Sequence, residues 1–197
     1  MSNILIVSAL HQEIPDKYEG GLENHSILYT GVGNVYATYE LTKLIKSMMF
    51  IPKLVINYGT AGSRNIPLHT LVDCVSFVQR DMDKTALGFK KGETAFEKDV
   101  PMILGFPFSA INNPIRKNLS CGTGDNFVQD IDKEIDCNVF DMEEYALAKI
   151  CWKMGKDFVS YKYVTDNANE KSADDWLENC GKGVKEFKKV LKYYDNL

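Results

Sequence analysis

Short apolar runs alternate along this chain with glycine turns and with segments whose apolar residues recur every three or four positions. Asn3 to Ala9 is a β-branched run that predicts a strand, and Ser26 to Thr30 predicts a second, closing on the turn Gly31-Val32-Gly33-Asn34. From Ala37 the apolar positions Leu41, Leu44, Ile45 and Met48 mark one helical face that stops near Pro52. Leu54 to Tyr58 is a continuous apolar strand pattern ending at Gly59-Thr60-Ala61-Gly62, and Leu71 to Val78 is another after a loop containing Pro67. Arg80 to Pro114 lacks sustained periodicity and reads as loop with one short strand. Leu119 to Asp125 and Val139 to Met142 are short strands that close on polar residues. The second leads into a helix with Ala146, Leu147, Ile150, Cys151 and Met154 on one face and Gly155 as a stop. Phe158 to Val164 is the last strand and ends on Thr165-Asp166-Asn167-Ala168. A final helix carries Val184, Phe187, Leu191 and Tyr194 on one face, with Lys185, Lys188, Lys189 and Lys192 on its solvated side.

Buried strands interleaved with helices predict an α/β fold. The length of 197 residues, 45% apolar, suits a single domain over residues 1–197, and neither an internal repeat nor a linker divides it. The net charge of −4 supplies no field for nucleic acid or an anionic membrane. No stretch approaches the ~20 apolar residues of a membrane span, and Met1 to Ser8 enters a strand pattern without a charged leader, so a soluble cytoplasmic protein is expected. The five cysteines are odd in number, widely spaced and free of Cys-x-x-Cys pairs, while His11, His25 and His69 show no ligand spacing. Neither a disulfide framework, a metal nor a cofactor is implied.

In open α/β sheets ligands bind beyond the carboxyl ends of the strands. Five polar clusters stand at such ends: Ser8 to Glu13, Gly31 to Asn34, Asn57 to Gly62, Asp141 to Glu144 and Thr165 to Ala168. Each also has a plain structural reading. Gly31-Val32-Gly33 lacks the third glycine of a dinucleotide fingerprint and serves as a turn. Asp166 suits a helix N-cap, Glu143 a first-turn carboxylate, Glu13 a surface charge and Met142 ordinary packing.

In this order the clusters resemble the nucleosidase/phosphorylase superfamily, and most closely its methylthioadenosine/S-adenosylhomocysteine nucleosidases. Ile6 to Ile14 looks like that family's first strand and its Gly-Ala-Met-Glu-Glu-Glu loop. Thr30 to Val35 is similar to Ser-Gly-Ile-Gly-Lys-Val, and Asn57 to Gly62 to Asn-Thr-Gly-Ser-Ala-Gly. Thr85 to Phe89 resembles Thr-Ala-Phe-Gly-Tyr, and Gly124 to Phe127 resembles Gly-Asp-Ala-Phe. The most specific match is Asp141-Met142-Glu143 opening a helix, with Thr165-Asp166 closing a later strand. The chain departs from the family in having Asp-Met-Glu for Glu-Met-Glu, His11 and Gln12 in the first loop, and almost no helix between Gly105 and Leu119. These departures bear on the base pocket and the choice of substrate.

The resemblance implies a central mixed twisted sheet flanked by helices in three layers, and hydrolysis of the N-ribosidic bond of a purine nucleoside. It implies that Asp166 protonates purine N7, Glu13 positions and activates water, and Glu143 binds ribose hydroxyls. Thr60 would hydrogen-bond the water or sugar, Met142 pack beneath the ribose, Phe127 stack on the purine, and the Val128 backbone read the base edge. Leu87 and Phe89 would reach the 5′ pocket of a neighbouring subunit, implying a homodimer. Phosphorolysis needs cationic groups around the nucleophile. The chain has three arginines, and the phosphorolytic relatives' arginine positions hold Asn57 and the His11-Gln12-Glu13 stretch. Hydrolysis is therefore favoured, with Arg64 as the feature that keeps a purine nucleoside phosphorylase open. A futalosine-type hydrolase and a non-catalytic nucleoside-binding module on the same fold also stay open.

Overall fold

A computed structural model describes residues 4–15, 22, 25–47, 52–97, 100–106, 113–130 and 134–196. It contains strands β1 (Ile4–Ser8), β2 (Ser26–Tyr29), β3 (Leu54–Gly62), β4 (Leu71–Gln79), β5 (Ile103–Gly105), β6 (Leu119–Thr123), β7 (Val139–Asp141) and β8 (Asp157–Asp166). Helices α1 (Asn34–Ser47), α2 (Glu144–Lys153), α3 (Ser172–Asn179) and α4 (Val184–Asp195) accompany them. The sheet is mixed. β2, β1, β3 and β8 run parallel in that order, β8 meets β4 antiparallel, and β4, β6 and β7 continue in parallel. β5 lies antiparallel at the outer edge of β4.

The twist brings β7 back to β3, where Gly62 pairs with Phe140, so that β3, β8, β4, β6 and β7 close on themselves. This closure follows from no local pattern, because it depends on strands far apart in sequence meeting at a single pair. It sets the ends of β3, β7 and β8 beside one another, where the polar clusters lie.

Strand alternation distributes the layers. Tyr58 of β3 stacks on Phe187 of α4 at 4.3 Å, and the Tyr161 hydroxyl of β8 shares a hydrogen bond of 2.7 Å with that of Tyr194, so α4 covers this face. Lys162, the next residue of β8, turns the other way and meets Asp141 at the foot of α2. α1 packs on α2 across that second face, burying Ala37, Leu41 and Ile45. The α/β fold agrees with the sequence pattern, and the mixed sheet between helices with what the family resemblance implies.

The differences are local. α1 begins at Asn34, one turn before the periodic apolar residues, and Met48 lies outside the described residues, as does Asn3 of the first predicted strand. The Gly59 to Gly62 segment, where the apolar strand pattern was expected to end, continues the strand: each residue pairs with β8, with a register shift between Ala61 and Gly62. α3 has no counterpart in the apolar periodicity. Its eight residues place only Ser172 and Asn179 fully inside and leave Leu177 exposed, so its apolar stripe is thin. The available signals were Asn169, whose side chain accepts the Lys171 amide, and the acidic Asp174 and Asp175 in the first turn.

Candidate active site

The strand ends surround a cavity of about 270 Å³. Glu13 enters it from a tight turn after β1, closed by the Glu13 amide donating to the Leu10 carbonyl at 3.1 Å. Its side chain folds back and is 5% exposed, which rules out a surface charge. Oε2 accepts from Ser8 Oγ (2.8 Å), the Ala9 amide (3.0 Å) and the Leu10 amide (3.3 Å). Oε1 accepts from the Thr60 amide (2.8 Å) and Thr60 Oγ1 (3.0 Å). Every partner is a donor, matching the acceptor-only chemistry of a carboxylate. Gly59 makes the approach of β3 possible, since a Cβ there would lie 3.1 Å from Glu13 Oε1 and 3.3 Å from Lys162 Nζ.

Asp166 ends β8 and is 3% exposed. Oδ2 accepts from Thr165 Oγ1 and Oδ1 from the Ala168 amide, each at 3.0 Å. It caps no helix, because α3 starts at Ser172. Glu143 occupies the N-cap position of α2 but makes no side-chain cap; its Oε1 instead accepts the Gly33 amide at 2.8 Å, joining the β2–α1 turn to the cavity wall. Burial, then the neighbouring Asp141 and Glu13, raise its carboxyl well above the usual range, against the opposing pull of Lys162 and the Gly33 amide. The capping falls to Asp141, whose Oδ2 accepts the Glu144 amide at 2.9 Å and the Glu143 amide at 3.3 Å.

Thr60, Met142, Phe127 and Val128 also line the cavity, so seven of the nine residues singled out in the sequence share one site. Leu87 and Phe89 do not. Leu87 lies in a 3-10 turn, Thr85–Leu87, with 62% of its surface exposed, and Phe89 packs edge-on against Phe96 at 5.2 Å. Arg64 is exposed and lies outside the cavity lining. Asn57 is built into the sheet, donating to the Val7 carbonyl and accepting from Ser160 Oγ.

Further positions at or beside the cavity escaped the sequence reading. Lys162 is buried beneath Gly59 and pairs with Asp141 at 2.8 Å; a lysine inside an apolar strand run was the signal. Cys121, Asp141 and Glu144 gather metal-ligand atoms within 4.8 Å of one another, and the positive charge beside them is the Lys162 ammonium. Arg80, at the end of β4, is 1% exposed and lines the cavity. Its guanidinium donates to Asn126 Oδ1 (3.1 Å), the Gly124 carbonyl (3.3 Å) and the Asn126 carbonyl, and pairs with Glu134 at 3.3 Å. That set clamps the loop carrying Phe127 and Val128. Trp176 of α3 also lines the cavity, donating from Nε1 to Thr60 Oγ1 at 2.8 Å and meeting Phe127 edge-on at 6.3 Å.

Residues 17–194 match the family described as "Phosphorylase superfamily". A 5′-methylthioadenosine/S-adenosylhomocysteine nucleosidase of an Exiguobacterium species is 31% identical over 185 residues, covering 83% of this chain and 78% of its own. The nucleosidase of that name from Staphylococcus haemolyticus is 26% identical over 194 residues, covering 89% and 83%. Among solved structures, the Helicobacter pylori 5′-methylthioadenosine/S-adenosylhomocysteine nucleosidase with butyl-thio-DADMe-Immucillin-A superposes with a TM-score of 0.84 at 23% identity, covering 100% of this chain and 99% of its own. A futalosine hydrolase mutant of Helicobacter pylori gives 0.83 at 21%, covering both chains fully. These two likenesses share the fold. With the family match spanning nearly the whole chain and a relative 31% identical over most of both chains, the chain belongs to the phosphorylase superfamily and, within it, to the 5′-methylthioadenosine/S-adenosylhomocysteine nucleosidase family.

Proposed function

We propose that this chain hydrolyses the N-ribosidic bond of a purine nucleoside of the methylthioadenosine/S-adenosylhomocysteine type and releases the free base. The observation that carries the reading is the convergence of Glu13, Glu143 and Asp166, from three separate strand ends, on one cavity that also holds Thr60, Met142, Phe127 and Val128.

Cleavage breaks the bond between the anomeric carbon and purine N9, and its electron pair passes into the base. Asp166 gives a proton to N7, which turns the base into a neutral leaving group. The sugar becomes oxocarbenium-like, as in other glycoside hydrolyses with a pair of carboxyl groups. Water then adds to the anomeric carbon while its proton passes to Glu13. Thr60, bonded to the same carboxylate, orients that water or the sugar. Glu143 binds the ribose hydroxyls, Met142 packs beneath the ring, Phe127 stacks on the purine, and the Val128 backbone reads the base edge.

The distribution of charge supports water over phosphate. Arg64 lies outside the cavity, Arg80 is engaged by the loop after β6, and Lys162 is paired with Asp141, while Glu13 presents a carboxylate where an anionic nucleophile would enter. Free-base release from methylthioadenosine, S-adenosylhomocysteine, futalosine and inosine, each with and without phosphate, tests the reading. Preference for one of the first two without phosphate supports it. Cleavage of inosine only with phosphate would replace it by a phosphorylase, cleavage of futalosine alone would replace the substrate, and no cleavage with retained binding would leave a nucleoside-binding module.

We also propose that the chain acts as one domain over residues 1–197, in the cytoplasm, as a homodimer. Its five free thiols fit a reducing compartment. Val35, Tyr36 and Tyr39 project from α1 with 76%, 61% and 58% of their surfaces exposed, beside a groove shared with Tyr145, Ala146 and Ile150 of α2. A second copy suits this apolar face, and Leu87 with Phe89 would then reach its 5′ pocket.

A further inference from the structure

We propose that Trp176 is a positioning residue that sets the direction of the hydrogen bonds leading to Glu13. The inference rests on the reading of Glu13 as the group that activates water.

The side chains form a chain of two bonds: Trp176 Nε1 stands 2.8 Å from Thr60 Oγ1, which stands 3.0 Å from Glu13 Oε1. An indole nitrogen only donates, and a threonine hydroxyl has a single proton. Thr60 Oγ1 therefore accepts from Trp176 and commits its own proton to Glu13. Without the indole, that hydroxyl rotates among competing acceptors, including water or a sugar oxygen in the cavity. The Thr60 amide also donates to Oε1, at 2.8 Å, so the indole fixes the second of two donors on the oxygen that faces β3.

The device links α3 to the strand ends around the cavity. Trp176 belongs to α3, which packs on β8, and its ring meets Phe127 edge-on at 6.3 Å. Asn179 of the same helix donates to the Thr165 carbonyl at 2.8 Å, next to Asp166. One short helix thus holds both the hydroxyl beside Glu13 and the backbone beside Asp166. A phenylalanine at position 176 would keep an aromatic wall and lose only the donor.

The test is a double-mutant cycle of Trp176→Phe and Thr60→Val on nucleoside cleavage. Trp176→Phe is expected to lower kcat roughly 10-fold with KM within about 3-fold, the size of effect for one oriented hydrogen bond. In the Thr60→Val background the same change is expected to lower kcat no further. Additive losses, or a change confined to KM, would overturn the proposal and make Trp176 a packing residue. A measurement independent of activity uses the two indole N–H resonances of the protein, assigned with Trp152→Phe. The Trp176 signal should be protected from solvent exchange and lose that protection in Thr60→Val. An unprotected signal in the parent protein, or one unmoved by Thr60→Val, would refute the hydrogen-bond chain. If the parent protein cleaved no nucleoside while the resonance behaved as expected, the proposed function would fail and the chain of bonds would stand.

Discussion

A methyl group on Gly62 would collide with Asp166 Oδ1, so the carboxylate at the end of β8 owes its place to a bare glycine on β3. Gly62→Ala is expected to displace Asp166 and reduce turnover on the order of 100-fold, the penalty of moving a reacting group by about 1 Å. Circular dichroism should show a folded protein. Unchanged kcat in Gly62→Ala would show that Asp166 has no fixed position to lose.

Asp166→Asn and Glu13→Gln should each lower kcat by about 100- to 10,000-fold, because each keeps the shape of the side chain and removes a proton transfer. The two should part on substrate. A nucleoside whose base leaves without protonation should recover rate in Asp166→Asn and none in Glu13→Gln. Near wild-type turnover in Asp166→Asn would refute its role as acid.

Much of this site was legible in the sequence because each carboxylate proposed to act in it stands at or just beyond a strand end, in a short polar cluster. What the sequence left unread is set by distance along the chain. The meeting of Gly62 with Phe140, which closes the strands and brings Glu143 towards Asp166, has no local signature. Lys162 looks like an interruption of an apolar strand until Asp141 is found 2.8 Å away. Trp176 sits in a helix with too few apolar positions to show a period, and its role depends on Thr60, 116 residues earlier. Leu87 and Phe89 matched the family by sequence, yet they stand outside the cavity lining of their own chain.

Glu144 is expected to contribute stability that is lost as pH rises. It is wholly buried in α2, and burial first, with Asp141 adding, raises its carboxyl to about 7 against the pull of Lys162. The folded state then binds this proton more tightly than the unfolded state does. Stability is lost as pH climbs from about 4.5 through about 7, by roughly 3 kcal/mol at most. Glu143, raised to about 8, extends the same slope upward. Denaturant melts at pH 5 and pH 8 should show Glu144→Gln with a smaller loss between the two than the parent. Equal losses would mean that Glu144 does not carry the proton.

Sedimentation at micromolar concentration should give twice the mass of the chain. Tyr39→Glu together with Val35→Glu, placed on the exposed face of α1, should give a monomer with impaired use of substrates bearing large 5′ groups. A parent protein that sediments as a monomer would remove both the dimer and the role of Leu87 and Phe89.

The most direct measurement follows methylthioadenosine in phosphate-free buffer with purified protein, recording adenine release and the sugar product together. Adenine should appear with an equal amount of reducing 5-methylthioribose, at a rate that added phosphate does not raise. Adenine release that depends on phosphate and yields the sugar 1-phosphate, or no release at all, would contradict it.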